Sequence, residues 1–595
     1  MSARELITDH LDLWTGAVTQ KRSGGRGNNG KIELTGIKKL RELILELAVR
    51  GKLVEQDPSD EPASVLLERI AEEKARLVKE GKVKKPKKLP EIDEGETPFS
   101  IPHSWTFAKL GEAVEIVRGI TFPASEKSST PEPGRVACLR TSNVQDKIEW
   151  NDLLYIRDSF VSKSSQYIQE HDIVMSMANS RELVGKVAII DHEPSEPTTF
   201  GGFLGVIRPI LLHPRFLMAV LRAPHARTIL IGSSSQTTNI ANISIGKLNP
   251  FILGIPPIEE QTRIVDKVDE LMALCDRLEQ QVGDQLEAHE VLVDTLLDAL
   301  TRSADAAEVA ESWACIAEHF DTLFTTEASI DKLKQSILQL AVMGRLVEQD
   351  PNDEPASVLL ERITEEKVRL VKEGKIRKQK PLPEIAHDEY PFEIPSGWAM
   401  SRMDDITNII SGIAKGKKLS GKKAVWVPYL RVANVQRGAL DLSEVKEIEM
   451  ACDEVEKYTV EKRDLLITEG GDWDKVGRTA IWNADIKPMT HQNHVFRARL
   501  ILGEQNEHWI EKYLNSGIAR EYFANSSKQT TNLASINKTQ LRSCIVPVPP
   551  LDEQQRIVDK VDELMALCDQ LKNRLAEAGA TRTHLAEAVV EQAVN

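Results

Sequence analysis

Apolar residues along this chain follow two rhythms. From 37 to 50 (IKKLRELILELAVR) they recur every three or four positions, the spacing of one helix face, and Gly51 supplies the stop. EPASVLLERIAEEKARLVKEGK (61–82) keeps that rhythm, with Pro62 suited to a first helical turn and Gly81 to the end. After Pro256-Pro257, the residues Ile264, Val268, Leu271, Cys275, Leu278 and Val282 are spaced four, three, four, three, four. Ile557, Val561, Leu564, Cys568, Leu571 and Leu575 repeat the pattern. This is coiled-coil spacing, and a helix of about 40 residues would be about 60 Å long. Two such helices can pair and hold two domains at a fixed separation. Between the helical stretches, DIVMSM (172–177), VGKVAII (184–190), DLLITEG (464–470) and VGRTAIW (476–482) are short, β-rich and bounded by turn residues. They predict two mixed α/β (α+β) domains, each with a small sheet.

The chain is one unit written twice. LVEQDP (53–58), DEPASVLLERI (60–70) and IVDKVDELMALCD (264–276) each recur 293 residues later. The blocks between these anchors, 93–255 and 386–548, have equal length but share little sequence. Near-identical segments should meet the same partner surface twice; diverged segments of equal length should share a fold and meet two different things. This gives a pseudo-two-fold layout. It comprises an N-terminal arm or connector (1–36), a helical repeat (37–92), a first variable domain (93–255) and a central long helix (256–300). After a connector helix (301–329) come the second helical repeat (330–385), the second variable domain (386–548) and a C-terminal long helix (549–595).

Charge refines the picture. The net charge is −15, which argues against a strongly basic nucleic-acid binder. Counted by segment, 104–250 carries +1 and 397–542 carries +3, so the rest holds −19. The acidity lies in the helical parts, and the variable blocks permit local phosphate contacts. The six cysteines lie far apart without a CxxC pair, which fits reduced thiols in a cytoplasmic protein and suggests no zinc site. No apolar run is long enough to span a bilayer, and the N-terminus is charged rather than signal-like.

Catalytic motifs fail one by one. Residues 25–31 (GRGNNGK) approach a phosphate-binding loop, but Ile32 stands where a Ser or Thr must reach magnesium. Asn249-Pro250-Phe251 lacks the second proline of an adenine-methyltransferase loop. Asp472 and Asp474 could hold a metal but read more simply as a solvated loop. Nothing in the chain is assembled for bond-making, so it is expected to be non-catalytic, with no cofactor and no metal of its own.

One succession is distinctive. QTTNIANISIGKLNPFILGIPPIEEQTRIVDKVDELMAL (236–274) returns as QTTNLASINKTQLRSCIVPVPPLDEQQRIVDKVDELMAL (529–567). With the doubled PPxxEQ segment and the long helix after it, the chain resembles, over nearly its whole length, the specificity subunit of Type I restriction–modification enzymes, in its longer-chain subfamily. The resemblance implies that each variable block is a target-recognition domain reading one half of a bipartite, asymmetric DNA site. It implies that the long helices pack antiparallel and set the spacer, and that two methyltransferase subunits and motor–nuclease subunits bind the helical repeats. S-adenosylmethionine, ATP and Mg²⁺ would then belong to those partners, and the outcome would be adenine methylation or ATP-dependent restriction.

Base edges are read best by Arg, Asn and Gln. Arg140, Asn143 and Gln145 match Arg431, Asn434 and Gln436 across the repeat, and a matched residue should grip phosphate or hold the fold rather than specify a base. Gln236, Thr237 and Asn239, with Gln529, Thr530 and Asn532, are matched too, and a turn or cap role fits them as well as a DNA contact. Sequence reading is expected from unmatched loops: 176–186, with Asn179, Ser180, Arg181 and Lys186, and 469–478, with Asp472, Trp473, Lys475 and Arg478. The loop 415–423, with Lys415, Lys417, Lys418, Lys422 and Lys423, is the phosphate candidate.

Overall fold

The structure, a computed structural model, describes all residues except 1–6, 21–31, 86–87, 182, 233–234, 237–240, 304–305, 417–418, 420, 472–474, 531–532 and 595. At 20, 32, 94, 235–236, 306–307, 528–530 and 533 it describes the backbone alone. The chain forms two units, Met1–Gln285 with Glu577–Asn595, and Leu286–Ala576. The division cuts both long helices, Ile258–Arg302 and Leu551–Val594, so each unit holds the first part of one and the last part of the other. Each helix starts directly after a Pro-Pro pair, whose second carbonyl accepts an early helical N–H, Gln261 to Pro257 (3.0 Å) and Gln554 to Pro550 (2.9 Å).

In the first unit, helix Thr35–Val49 ends at Gly51 and helix Ala63–Lys79 ends before Gly81. Both glycines have φ near +70°, where a side chain would be strained. Pro62 stands just outside its helix as the cap residue, not in the first turn. Arg41 bonds Asp276 (2.5 Å) and Glu279 (2.6 Å) on the long helix. Arg50 and Lys52 donate to the carbonyl of Val594, satisfying acceptors that a helix end leaves open. The N-terminal segment, expected as a connector, carries helix Leu11–Gly16, whose Trp14 is fully buried beneath the first helical repeat. The second unit repeats the arrangement: Lys334 pairs with Asp569, Lys572 with Asp331 (2.9 Å), and Arg345 donates to the carbonyl of Thr301 at the end of the first long helix.

The PPxxEQ anchor is a structural junction. Glu260 is 0% exposed and accepts hydrogen bonds from the Trp105 indole (3.0 Å) and the Gln56 amide (2.6 Å). It thus ties the start of the variable block and the LVEQDP anchor to the long helix. Gln261 closes the turn by donating to the Pro256 carbonyl (3.0 Å). Glu553, with Trp398 (2.9 Å) and Gln349 (2.6 Å), is the same junction in the second unit. Burial pushes both carboxyls above the usual range, against the pull of these hydrogen bonds and of Arg263 or Arg556.

Each variable block is built on a four-stranded antiparallel sheet. In the first unit its order is Val114–Arg118, Leu204–Pro209, Ile173–Ser176, Val187–Ile189; in the second it is Thr407–Ser411, Val495–Leu500, Leu465–Thr468, Thr479–Ile481. A three-stranded sheet stands beside each. One joins Thr198–Phe200 in parallel to Arg135–Leu139, with Leu154–Arg157 on its other edge; the other joins Thr490–His491 in parallel to Ala424–Leu430, with Lys446–Ala451. The central strands are buried on both faces, so they read as continuous apolar runs rather than as alternation. Trp105 meets Phe216 edge-to-face in the first unit, and Trp398 meets Trp509 in the second.

Candidate nucleic-acid interface

The two domains bring the expected segments together by the same backbone bonds. After strand Ile173–Ser176 the chain enters the diverged loop, whose Ala178–Asn179 pairs with Ala241–Asn242, just past the first QTTN. Ala241–Asn242 pairs in turn with Ser235–Gln236, so the strand that opens the first QTTN is joined through Ala241–Asn242 to the diverged loop. In the second domain Gly470–Gly471 pairs with Leu533–Ser535, which pairs with Lys528–Thr530. Thr237, Asn239 and Asn532 lie outside the described residues, and the side chains of Gln236, Gln529 and Thr530 do too.

Asn143 and Asn434 are each 3% exposed and hold a turn. Asn143 accepts from the Arg140 backbone N–H and donates to the carbonyls of Glu149 and Asn151. Asn434 accepts from Arg431 and donates to Asp441 and Glu444. With both ends of the amide engaged inside the fold, neither can reach DNA, so the geometry gives these two to structure. Arg140 bonds Asp152 (2.7 Å) and Arg431 bonds Glu444 (3.1 Å) at the rim of the same turn.

The matched glutamines do something else. Gln145 donates to the Ser142 carbonyl and accepts from Lys186 Nζ (2.9 Å); Gln436 donates to the Ala433 carbonyl and accepts from Arg478 (2.7 Å). Each therefore steadies a cation at the end of the diverged loop, lysine in one domain and arginine in the other. Asn179 accepts from the Ser180 backbone N–H (2.8 Å), and Ser180 and Arg181 are exposed on the loop. Lys475 is half-buried, its carbonyl held by Thr468 (2.7 Å). Trp473, Asp472 and Asp474 lie outside the described residues, as do Lys417 and Lys418. Lys415, Lys422 and Lys423 are exposed, with Lys422 against Asp453 (2.7 Å).

Three further residues share this place: Phe203 and His494, which the sequence reading passed over, and Glu469, which opens the 469–478 loop without having been singled out. The turn before strand Leu204–Pro209 ends in Phe203, and its counterpart before Val495–Leu500 ends in His494. The Phe203 carbonyl accepts from Met177 N (2.8 Å), and the His494 carbonyl accepts from Glu469 N (2.9 Å). The His494 ring meets the Glu469 carboxylate at 2.6 Å. The constant shift of 293 hides them: in the structure Phe203 faces His494 at a shift of 291 and Met177 faces Glu469 at 292, and the chemistry changes at both. Phe200, four residues before the central strand, likewise faces His491. His491 is buried, donates from Nδ1 to the Val495 carbonyl (2.6 Å), and is pushed down to about 4 by desolvation.

Among the described residues no group of three or more His, Cys, Asp or Glu could hold a metal, and no helix is long and apolar enough to cross a membrane.

Comparison with known proteins adds a family. Residues 102–288 and 395–578 match the family described as the Type I restriction modification DNA specificity domain. The chain is 40% identical over 609 residues to the Type I restriction enzyme EcoEI specificity subunit of Escherichia coli, with all of both chains covered. It is 40% identical over 608 residues to the EcoAI specificity subunit of Escherichia coli, again with full coverage of both. A solved HsdS subunit from Thermoanaerobacter tengcongensis aligns over 84% of this chain and 98% of its own, at 17% identity and a TM-score of 0.38.

Proposed function

Because the chain belongs to the family of Type I restriction–modification specificity subunits, with two recognition domains, we propose that each domain reads one half of a bipartite, asymmetric DNA site. In this reading the long helices set the number of unread base pairs. The near-identical helical repeats dock two methyltransferase subunits, and motor–nuclease subunits join them in the restricting complex. The chain directs adenine methylation or ATP-dependent cleavage in the cytoplasm without making or breaking a bond itself. S-adenosylmethionine, ATP and Mg²⁺ serve the partner subunits.

One observation carries this reading. The same backbone bonds join the diverged loop, the strands flanking each QTTN and the turn in both domains, while the side chains they present differ. A shared frame with exchanged side chains is what two readers of different base sequences need. Lys186 and Arg478 supply the basic heads, and Arg181 and the lysines at 415, 422 and 423 supply charge for phosphate.

Methylome sequencing of cells expressing this chain with its cognate methyltransferase subunit tests it. A new bipartite N6-methyladenine motif that needs this chain is expected, and exchanging 93–255 should change one half of that motif alone. Co-purifying proteins that yield no motif would refute the reading.

A further inference from the structure

The turn tips deepen that reading, on which this inference rests. Gly119 lies so close to the Gly201 carbonyl that a Cβ there would collide with it, and Gly412 stands in the same relation to the carbonyls of His491 and Gln492. Only glycine permits this approach, so in both domains a neighbouring loop clamps the turn. The turn is stitched on its other side to the diverged loop through Phe203 or His494. The stitching residue is held on its other side as well: the Met177 carbonyl accepts from Ile243 N (2.8 Å) and the Glu469 carbonyl from Ile536 N (2.9 Å), just past each QTTN. A rigid backbone thus presents Phe203 in one domain and the Glu469–His494 pair in the other at the same point of the candidate interface.

Phe203 is 66% exposed. A single exposed phenylalanine is ordinary on a surface. This one sits on a clamped turn, bonded to the loop that carries Arg181 and Lys186, and its counterpart in the sister domain is a carboxylate in contact with an imidazole. An aromatic ring in that setting suits the one apolar feature of the major-groove code, the thymine methyl; a carboxylate suits an exocyclic amino group.

We propose that these turn tips are specificity-determining contacts. Phe203 packs on the methyl of a thymine in the first half-site. Glu469, oriented by His494, accepts a hydrogen bond from a cytosine or adenine amino group in the second.

The test uses the complex of the full chain with its methyltransferase subunit, once the wild-type motif is mapped. Each thymine of the first half-site is replaced in turn by deoxyuridine, which removes the methyl alone. One position should weaken binding about 4-fold, the fold-change of about 0.8 kcal/mol for one buried methyl group. The Phe203→Ala complex should be indifferent to that replacement and should read the second half-site as before. Glu469→Ala should relax one position of the second half-site only. Three results would overturn the proposal: a first half-site without thymine, full tolerance of every uracil by the wild type, or Phe203→Ala discriminating as the wild type does. Because the uracil series uses the unaltered protein, a poorly folding variant cannot hide the answer. A wild type that yields no bipartite motif would instead remove the underlying functional reading.

Discussion

Replacing Glu260 by alanine should loosen the first recognition domain from its helix. The carboxylate is wholly buried and is the shared acceptor for Trp105 at 3.0 Å and Gln56 at 2.6 Å. A hydrogen bond to a charged acceptor contributes about 1.5–3 kcal/mol, and an orphaned buried indole N–H adds about 1–3 kcal/mol. Against this, alanine removes a carboxyl whose burial is already unfavourable, as its upward-shifted pKa shows. The balance is about 3 kcal/mol. Glu260→Gln keeps an acceptor oxygen and should cost about 1 kcal/mol. For a unit of this size, 3 kcal/mol lowers Tm by roughly 6 °C. Differential scanning calorimetry on the full chain, with the two units resolved as separate transitions, measures it. Glu553→Ala should shift the second unit by the same amount, because Trp398 (2.9 Å) and Gln349 (2.6 Å) reproduce the geometry. A loss under about 1 kcal/mol in either unit, or equal losses for Gln and Ala, would refute the assignment of the PPxxEQ anchor as a hydrogen-bonded junction.

Two further outcomes are expected. Lys186→Gln and Arg478→Gln should each lower the salt slope of DNA binding by about 0.9, the counterion release for one phosphate neutralised, and an unchanged slope would place these heads away from the backbone. In the second domain, His491 is held neutral with its pKa near 4, so the unfolded chain takes up a proton first and stability falls as the pH drops from about 6.5 toward 4. His491→Phe, the residue its sister domain uses at Phe200, should flatten that fall by on the order of 3 kcal/mol, and an acid-unfolding series identical to wild type would show that His491 is not its source.

The repeat, the helices and the β-rich character of the two blocks were legible without coordinates, because each rests on local or periodic information. Helix faces write themselves every three or four residues, glycines mark the stops, and a duplicated sequence must build a duplicated fold. PPxxEQ was legible as a family signature, but its role as a junction for Trp105 and Gln56 was not, since those partners lie far away along the chain. The same limit applied to the site. Matched Arg-Val/Thr-x-Asn segments gave no sign of which residue points inward; burial assigned Asn143 and Asn434 to the turn and left Gln145 and Gln436 holding a cation. Trp14, read as part of a connector, turned out to be core. Phe203 and His494 carry no motif at all, and only the pairing of strands distant in sequence placed them beside the diverged loops. Sequence by itself determined what recurs along the chain, because periodicity and repetition are properties of order. Tertiary structure decided which side chains meet, because contact across a sheet or against a helix depends on register and burial, and neither is written in the spacing of residues.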